Sequence, residues 1–206
     1  MNYGRAMIVA GLVAAAGAAQ AGGVGIRAGS TGVGADLGWE IMPTLGGRVG
    51  ISAMNVNTDF DTSGANYDAK VKLANLNLLL DWSPLGPFRL TGGFIANDNK
   101  IDLTGRPTSG IAAGTTLTGQ VTPERSFAPY LGVGYGNVWT KGINFYFDLG
   151  VMFQGSPQVS SLTCQGNAAQ CAAAQPQIEA ERQRVQDELN RFKYYPVANI
   201  GLTIGW

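Results

Sequence analysis

The sequence predicts an all-β fold: an eight-stranded antiparallel up-and-down transmembrane β-barrel with a short helix in its last extracellular loop. Three observations predict it. Apolar and polar residues alternate in eight separate segments, as strands must when every second side chain faces hydrocarbon and the others face an enclosed lumen. Beyond the first residues, no apolar run approaches the roughly 20 residues of a spanning helix, so strands are the elements left to cross. After a short first link, Ser30 to Gly32, the links between segments are alternately short and long, as in barrels that keep tight turns on one side of the membrane.

The chain opens with Arg5, an apolar stretch from Ala6 to Ala19, and the small-x-small triplet Ala19-Gln20-Ala21. That order is the mark of a signal peptide, residues 1–21, removed on export to leave 22–206 as one barrel domain. The first strand sets Val24, Ile26 and Ala28 against Arg27. The second sets Val33, Ala35, Leu37, Trp39 and Ile41 against Asp36, Glu40 and two glycines, and the third sets Val49, Ile51 and Ala53 against Arg48 and Ser52. Leu76, Leu78, Leu80 and Trp82 alternate with Asn75, Asn77 and Asp81; Phe88, Leu90 and Phe94 alternate with Arg89 and Thr91. In those two strands Leu79 and Ile95 fall on the polar phase. Leu131, Val133 and Tyr135 make the sixth strand, Phe145 to Phe153 with Asp148 on the other phase the seventh, and Ile200, Leu202, Ile204 and Trp206 the last. An even count lets the final strand close on the first and remove the open edges that lipid cannot satisfy.

With a periplasmic N-terminus, the short links around Pro43, from Ser83 to Pro87 and from Val138 to Gly142 are inner turns. The long links, Asn55 to Lys70, Asn99 to Ser126 and Gly155 to Lys193, are then extracellular. Trp39, Trp82, Trp139 and Trp206 all fall toward the turn side, the place of an aromatic girdle. In the last long link, Ile178, Val185, Leu189 and Phe192 share one face at helical spacing. Cys164 and Cys171 lie in the same link, and in an oxidising compartment they are a candidate disulfide.

The lumen phase carries Arg27, Arg48 and Arg89 with Asp36, Glu40, Asp81 and Asp148. Inside so narrow a barrel these charges either pair into an internal plug or line a narrow, slightly acidic path for small cations, and glycine on the same phase leaves room for the path. The sequence has no histidine, so the usual general base of hydrolases is missing and no enzyme is expected. Two thiols without histidine make no zinc site, and no cofactor or metal is expected. Lys plus Arg equals Asp plus Glu at 14 each, which removes the basic footprint of a nucleic-acid binder.

Four segments resemble the CarO family of small outer-membrane barrels: Arg27-Ala28-Gly29-Ser30-Thr31-Gly32, Ala128-Pro129-Tyr130-Leu131-Gly132-Val133-Gly134, Gly155-Ser156-Pro157-Gln158-Val159 and Phe192-Lys193-Tyr194-Tyr195-Pro196-Val197. They occur in matching order across most of the chain after the signal peptide. The resemblance implies a Gram-negative outer-membrane location, an eight-stranded barrel with large extracellular loops, and passage of small cationic solutes such as ornithine and other basic amino acids. It also implies lipid and lipopolysaccharide as neighbours, and recognition by the outer-membrane assembly machinery through the terminal Trp206. The chain departs from the family in its shorter outer loops and in the Cys164/Cys171 pair, and no binding residue transfers position by position. A closed structural or surface-interaction barrel is the alternative to a channel.

Overall fold

The structure, a computed structural model, describes residues 21–62, 65–108 and 113–206. The expected signal peptide therefore lies, apart from Ala21, outside the described residues.

Eight strands form a closed antiparallel ring: β1 (Gly22–Gly29), β2 (Gly32–Met42), β3 (Leu45–Thr62), β4 (Ala65–Leu85), β5 (Phe88–Asn97), β8 (Phe127–Tyr135), β9 (Gly142–Met152) and β12 (Tyr195–Gly205). The seam is β12 against β1, in a register that sets Ile204 opposite Val24 and Gly201 opposite Arg27. Each of the eight alternating segments read from the sequence lies in one of these strands.

The apolar phase faces outward. Ile26, Val33, Ile51, Leu80, Leu90, Leu131, Phe145, Leu149, Leu202 and Ile204 are all exposed large hydrophobic residues, and together they sample every strand of the ring. An apolar belt so continuous and so exposed requires hydrocarbon around it. Aromatic contacts mark both rims: Phe88 packs edge-on to Tyr135 toward the turn end, and Phe94 stacks on Phe127 toward the loop end.

Where the sequence shows only long loops, the structure holds a second, smaller layer. β3 and β4 run 18 and 21 residues, well beyond the ~9–11 that a spanning strand needs. Their outer halves project from the ring, and β6 (Lys100–Pro107) pairs with β4 while β7 (Thr116–Thr122) pairs with β6. Two short strands, β10 (Gln158–Val159) and β11 (Thr163–Gln165), finish this sheet against β7. Cross-strand ion pairs Lys72–Asp102 at 2.6 Å and Arg106–Asp68 at 2.7 Å tie β4 to β6. The hydrogen bond from the Lys72 ammonium, followed by one from Gln120, holds the Asp102 carboxyl below its ordinary pKa.

The helix is longer than its apolar stripe suggests. α1 spans Ala168–Leu189 and takes in the Ala/Gln stretch around Cys171, while Phe192 lies beyond its end and is exposed. Asn167 caps it by accepting from the Ala169 backbone N–H at 2.9 Å. The helix rests on the edge of the small sheet: the Gln186 amide accepts from Val159 N–H and donates to the Pro157 carbonyl, both at 2.9 Å. One side chain thus does what a neighbouring strand would do for an unpaired edge.

The Cys164–Cys171 disulfide joins β11 to the first turn of α1. Because it closes a short loop outside the ring, Cys171→Ser is expected to leave the heat-dependent gel shift of the folded barrel intact. The same change should speed amide hydrogen exchange in α1. Loss of the gel shift in that variant would show that the barrel depends on the disulfide.

Candidate functional site

The interior phase places every lumen charge read from the sequence except Glu40 in one buried network. Arg48 on β3 bridges Asp81 on β4 at 2.9 Å and Asp148 on β9 at 2.7 Å. Arg89 on β5 reaches the same two carboxylates from the other side. Arg27 on β1 pairs with Asp36 on β2 at 3.0 Å, and the Asn77 amide faces the same guanidinium. Tyr146 joins the two groups. Its hydroxyl donates to Asp36 Oδ2, and its ring lies 5.7 Å and 5.5 Å from the guanidinium carbons of Arg48 and Arg89. Thr91 donates to Asp81 at 2.6 Å.

Three guanidinium groups thus meet three carboxylates, and all six residues are at least 97% buried. Ions so far from water are tolerable only when each meets its opposite with good hydrogen-bond geometry. Glu40 stands apart, partly exposed toward the turn end, with no ion-pair partner among the described residues.

Glycine on the lumen phase does not leave an open path. The register sets a glycine across from nearly every large member of the network: Gly201 and Gly34 flank Arg27, Gly25 and Gly50 flank Asp36, and Gly134 lies beside both Arg89 and Asp148. A Cβ at Gly201 would strike the Tyr146 ring, one at Gly50 the Asp36 carboxylate, and one at Gly132 or Gly150 the Tyr130 hydroxyl. The space that glycine vacates is taken up by its neighbours' charged and aromatic side chains, as in other small barrels whose interiors alternate small and large residues.

Two further layers close the ring. Toward the loop end, Leu79, Ile95, Ala128, Tyr130, Met152 and Val197 form an apolar cluster inside the barrel. Leu79 and Ile95 break the alternation because they face this layer. At the turn end, residues 136–141 fold inward, with Val138 fully buried and Trp139 at 6% exposure. Trp139 is therefore not part of the aromatic girdle expected for it. Its ring covers Gly46, and Val138 packs over Gly38. Ser83 anchors the turn by donating to the Asn137 side chain at 2.9 Å. Trp82 and Trp206 remain at the outer surface.

A crystal structure of Acinetobacter baumannii CarO superposes with a TM-score of 0.62 at 22% identity, over 91% of this chain and 98% of that one. The fold is that of CarO. A second structure, A. baumannii CarO2, gives a TM-score of 0.61 at 21% identity over 90% and 98% of the two chains. No family profile and no curated protein sequence matches the chain. Agreement with CarO over nearly the whole chain makes the small sheet and helix part of the comparison, along with the ring.

In this barrel the sequence assigns Tyr130 and Tyr146 to the polar phase of their strands, where the structure buries them, but it does not show that they fill the lumen, and it misses Trp139 as an interior residue. Tyr130 and Tyr146 both lie on the glycine phase of their strands, opposite the apolar set. That position was the available signal.

Proposed function

We propose that the chain is a Gram-negative outer-membrane barrel, exported under the signal peptide of residues 1–21, whose lumen is closed and whose work is non-catalytic. On this reading the ring is an anchor in outer-membrane lipid and lipopolysaccharide, assembled through recognition of Trp206, and the small sheet with α1 is the part offered to the cell exterior. The observation that carries it is the pairing of Arg48 with both Asp81 and Asp148 at the centre of the ring, with Trp139 folded over the turn end.

Passage of small cations such as basic amino acids is the reading these contacts support less. Asp36, Asp81 and Asp148 are each engaged by a guanidinium group, so none is left to draw a cation inward. Planar-bilayer recording of the refolded chain tests the proposal. The expected result is no conductance steps above a lipid-only control. Steady steps that disappear when the protein is heat-unfolded before addition would overturn it.

A further inference from the structure

β3 has two neighbours within the ring and one beyond it. Its pairing with β2 ends at Val33 opposite Ala53, whereas its pairing with β4 runs unbroken to Thr62 opposite Ala65. Residues 54–62 therefore present an open edge, along which Asn55, Val56, Asn57, Thr58 and Asp59 are all exposed. The far edge of the same sheet is covered, with β10 and β11 lying on β7 and Gln186 bonded to β10. An open edge offers its backbone donors and acceptors to another strand.

The alternation of the sheet tells which groups are free. Thr44, just before β3, accepts from the Ser83 N–H on β4. Ala74, opposite Ala53, turns its N–H and carbonyl away from β3, toward Asn99 and Asp98. Even-numbered residues of β3 thus bond to β4, and odd-numbered ones point the other way. Asn55, Asn57 and Asp59 carry the free N–H and C=O groups, and nothing among the described residues engages them at that edge.

A second copy of the strand fits this edge in one register. Antiparallel pairing about a two-fold axis at Thr58 sets Asn57 opposite Asp59 of the second copy, Asn55 opposite residue 61 and Thr58 opposite itself, so the free groups of both edges meet. An amide that donates to a carboxylate and a Thr–Thr pair are both favourable cross-strand neighbours. Moving the axis to Asp59 would set that carboxylate against its own copy. Moving it to Asn57 would call on Ala53, whose edge Val33 already holds.

We infer that the open edge of β3 is a self-association site, to which a second copy of this chain adds its own residues 54–62 as an antiparallel strand. The two rings then lie at opposite ends of the strand pair, so the copies joined sit in facing bilayers. This deepens the reading of the small sheet as the part offered to the exterior, and rests on it for which membrane faces meet. Nine residues a side make a small interface, so the pair is weak in solution and gains from many copies facing one another.

Sedimentation velocity of the refolded full chain in micelles, over a concentration series reaching about 1 mM, reads the association without regard to membrane sidedness. A reversible monomer–dimer equilibrium is expected. Asn57→Asp sets two carboxylates opposite each other at both symmetric positions and should weaken the dimer by about tenfold or more. Adding Asp59→Asn exchanges the members of each pair and should restore it. Asn57→Pro removes an outward N–H and no bond to β4, so it should keep the heat-dependent gel shift and lose the dimer. Should Asn57→Pro lose the gel shift, the two carboxylate variants decide. A chain monomeric throughout overturns the inference, as does a dimer that Asn57→Asp leaves unchanged or that the double change fails to restore. Failure of a membrane-impermeant thiol reagent to label Thr58→Cys on whole cells would instead refute the outward placement of the sheet, and with it the pairing across facing bilayers.

Discussion

Replacing Arg48 with leucine is expected to destabilise the barrel by about 3–5 kcal/mol, the usual cost of leaving a buried ion without its partner. Arg48 is 1% exposed and holds Asp81 and Asp148 together. Without it, two carboxylates share the single guanidinium of Arg89, and the centre of the ring carries a net negative charge in a medium that screens it poorly. Urea or heat unfolding in detergent micelles, followed by the gel shift, reads the loss. The partner test is the double variant Arg48→Leu with Asp148→Asn. It restores balance, leaving Arg27 with Asp36 and Arg89 with Asp81, and should recover a measurable part of the stability. A single Arg48 variant within about 0.5 kcal/mol of the parent, the range of an ordinary surface change, would show that the network does not hold the strands together.

The same logic explains how much of the molecule could be read from its sequence. Lipid selects for apolar residues at every second position, and that selection acts on each spanning strand separately. Eight strands were therefore visible without any knowledge of their neighbours. The outer halves of β3 and β4 have no lipid to face, and Asn55, Asn57 and Asp59 are exposed there, so hydropathy carries little trace of their extended conformation. β6 and β7 did carry a weak one: Ile101 and Leu103 alternate with Lys100 and Asp102, and Leu117 and Val121 alternate with Thr118 and Gln120. Those runs are short and half solvated, and their pairing depends on β4 supplying an edge. Inside the ring, charge type and phase were legible one residue at a time. The filling of the lumen was not, because whether Gly201 is empty space or a seat for Tyr146 is decided by the register of the pairing between β9 and β12.

A glycine pair turns that register into a measurement. Gly201→Ala is expected to cost about 3 kcal/mol or more, while Gly92→Ala is expected to be neutral or slightly stabilising. At Gly201 the new Cβ meets the Tyr146 ring and the Ile26 carbonyl. Tyr146 must move, giving up its hydrogen bond to Asp36 and its place beside Arg48 and Arg89. Overpacking costs about 1–3 kcal/mol, and a lost hydrogen bond to a buried charge adds about 1.5–3. At Gly92, between Leu80 and Leu131 on the lipid-facing side, a Cβ would meet nothing within 4 Å. There the smaller conformational freedom of alanine in the unfolded chain favours folding by up to about 1 kcal/mol. Refolding yield and thermal midpoint, read by the gel shift on both variants under one protocol, separate the two sites. Equal behaviour would mean that the lumen has slack to spare, and a barrel with slack at Tyr146 would no longer be closed by its side chains.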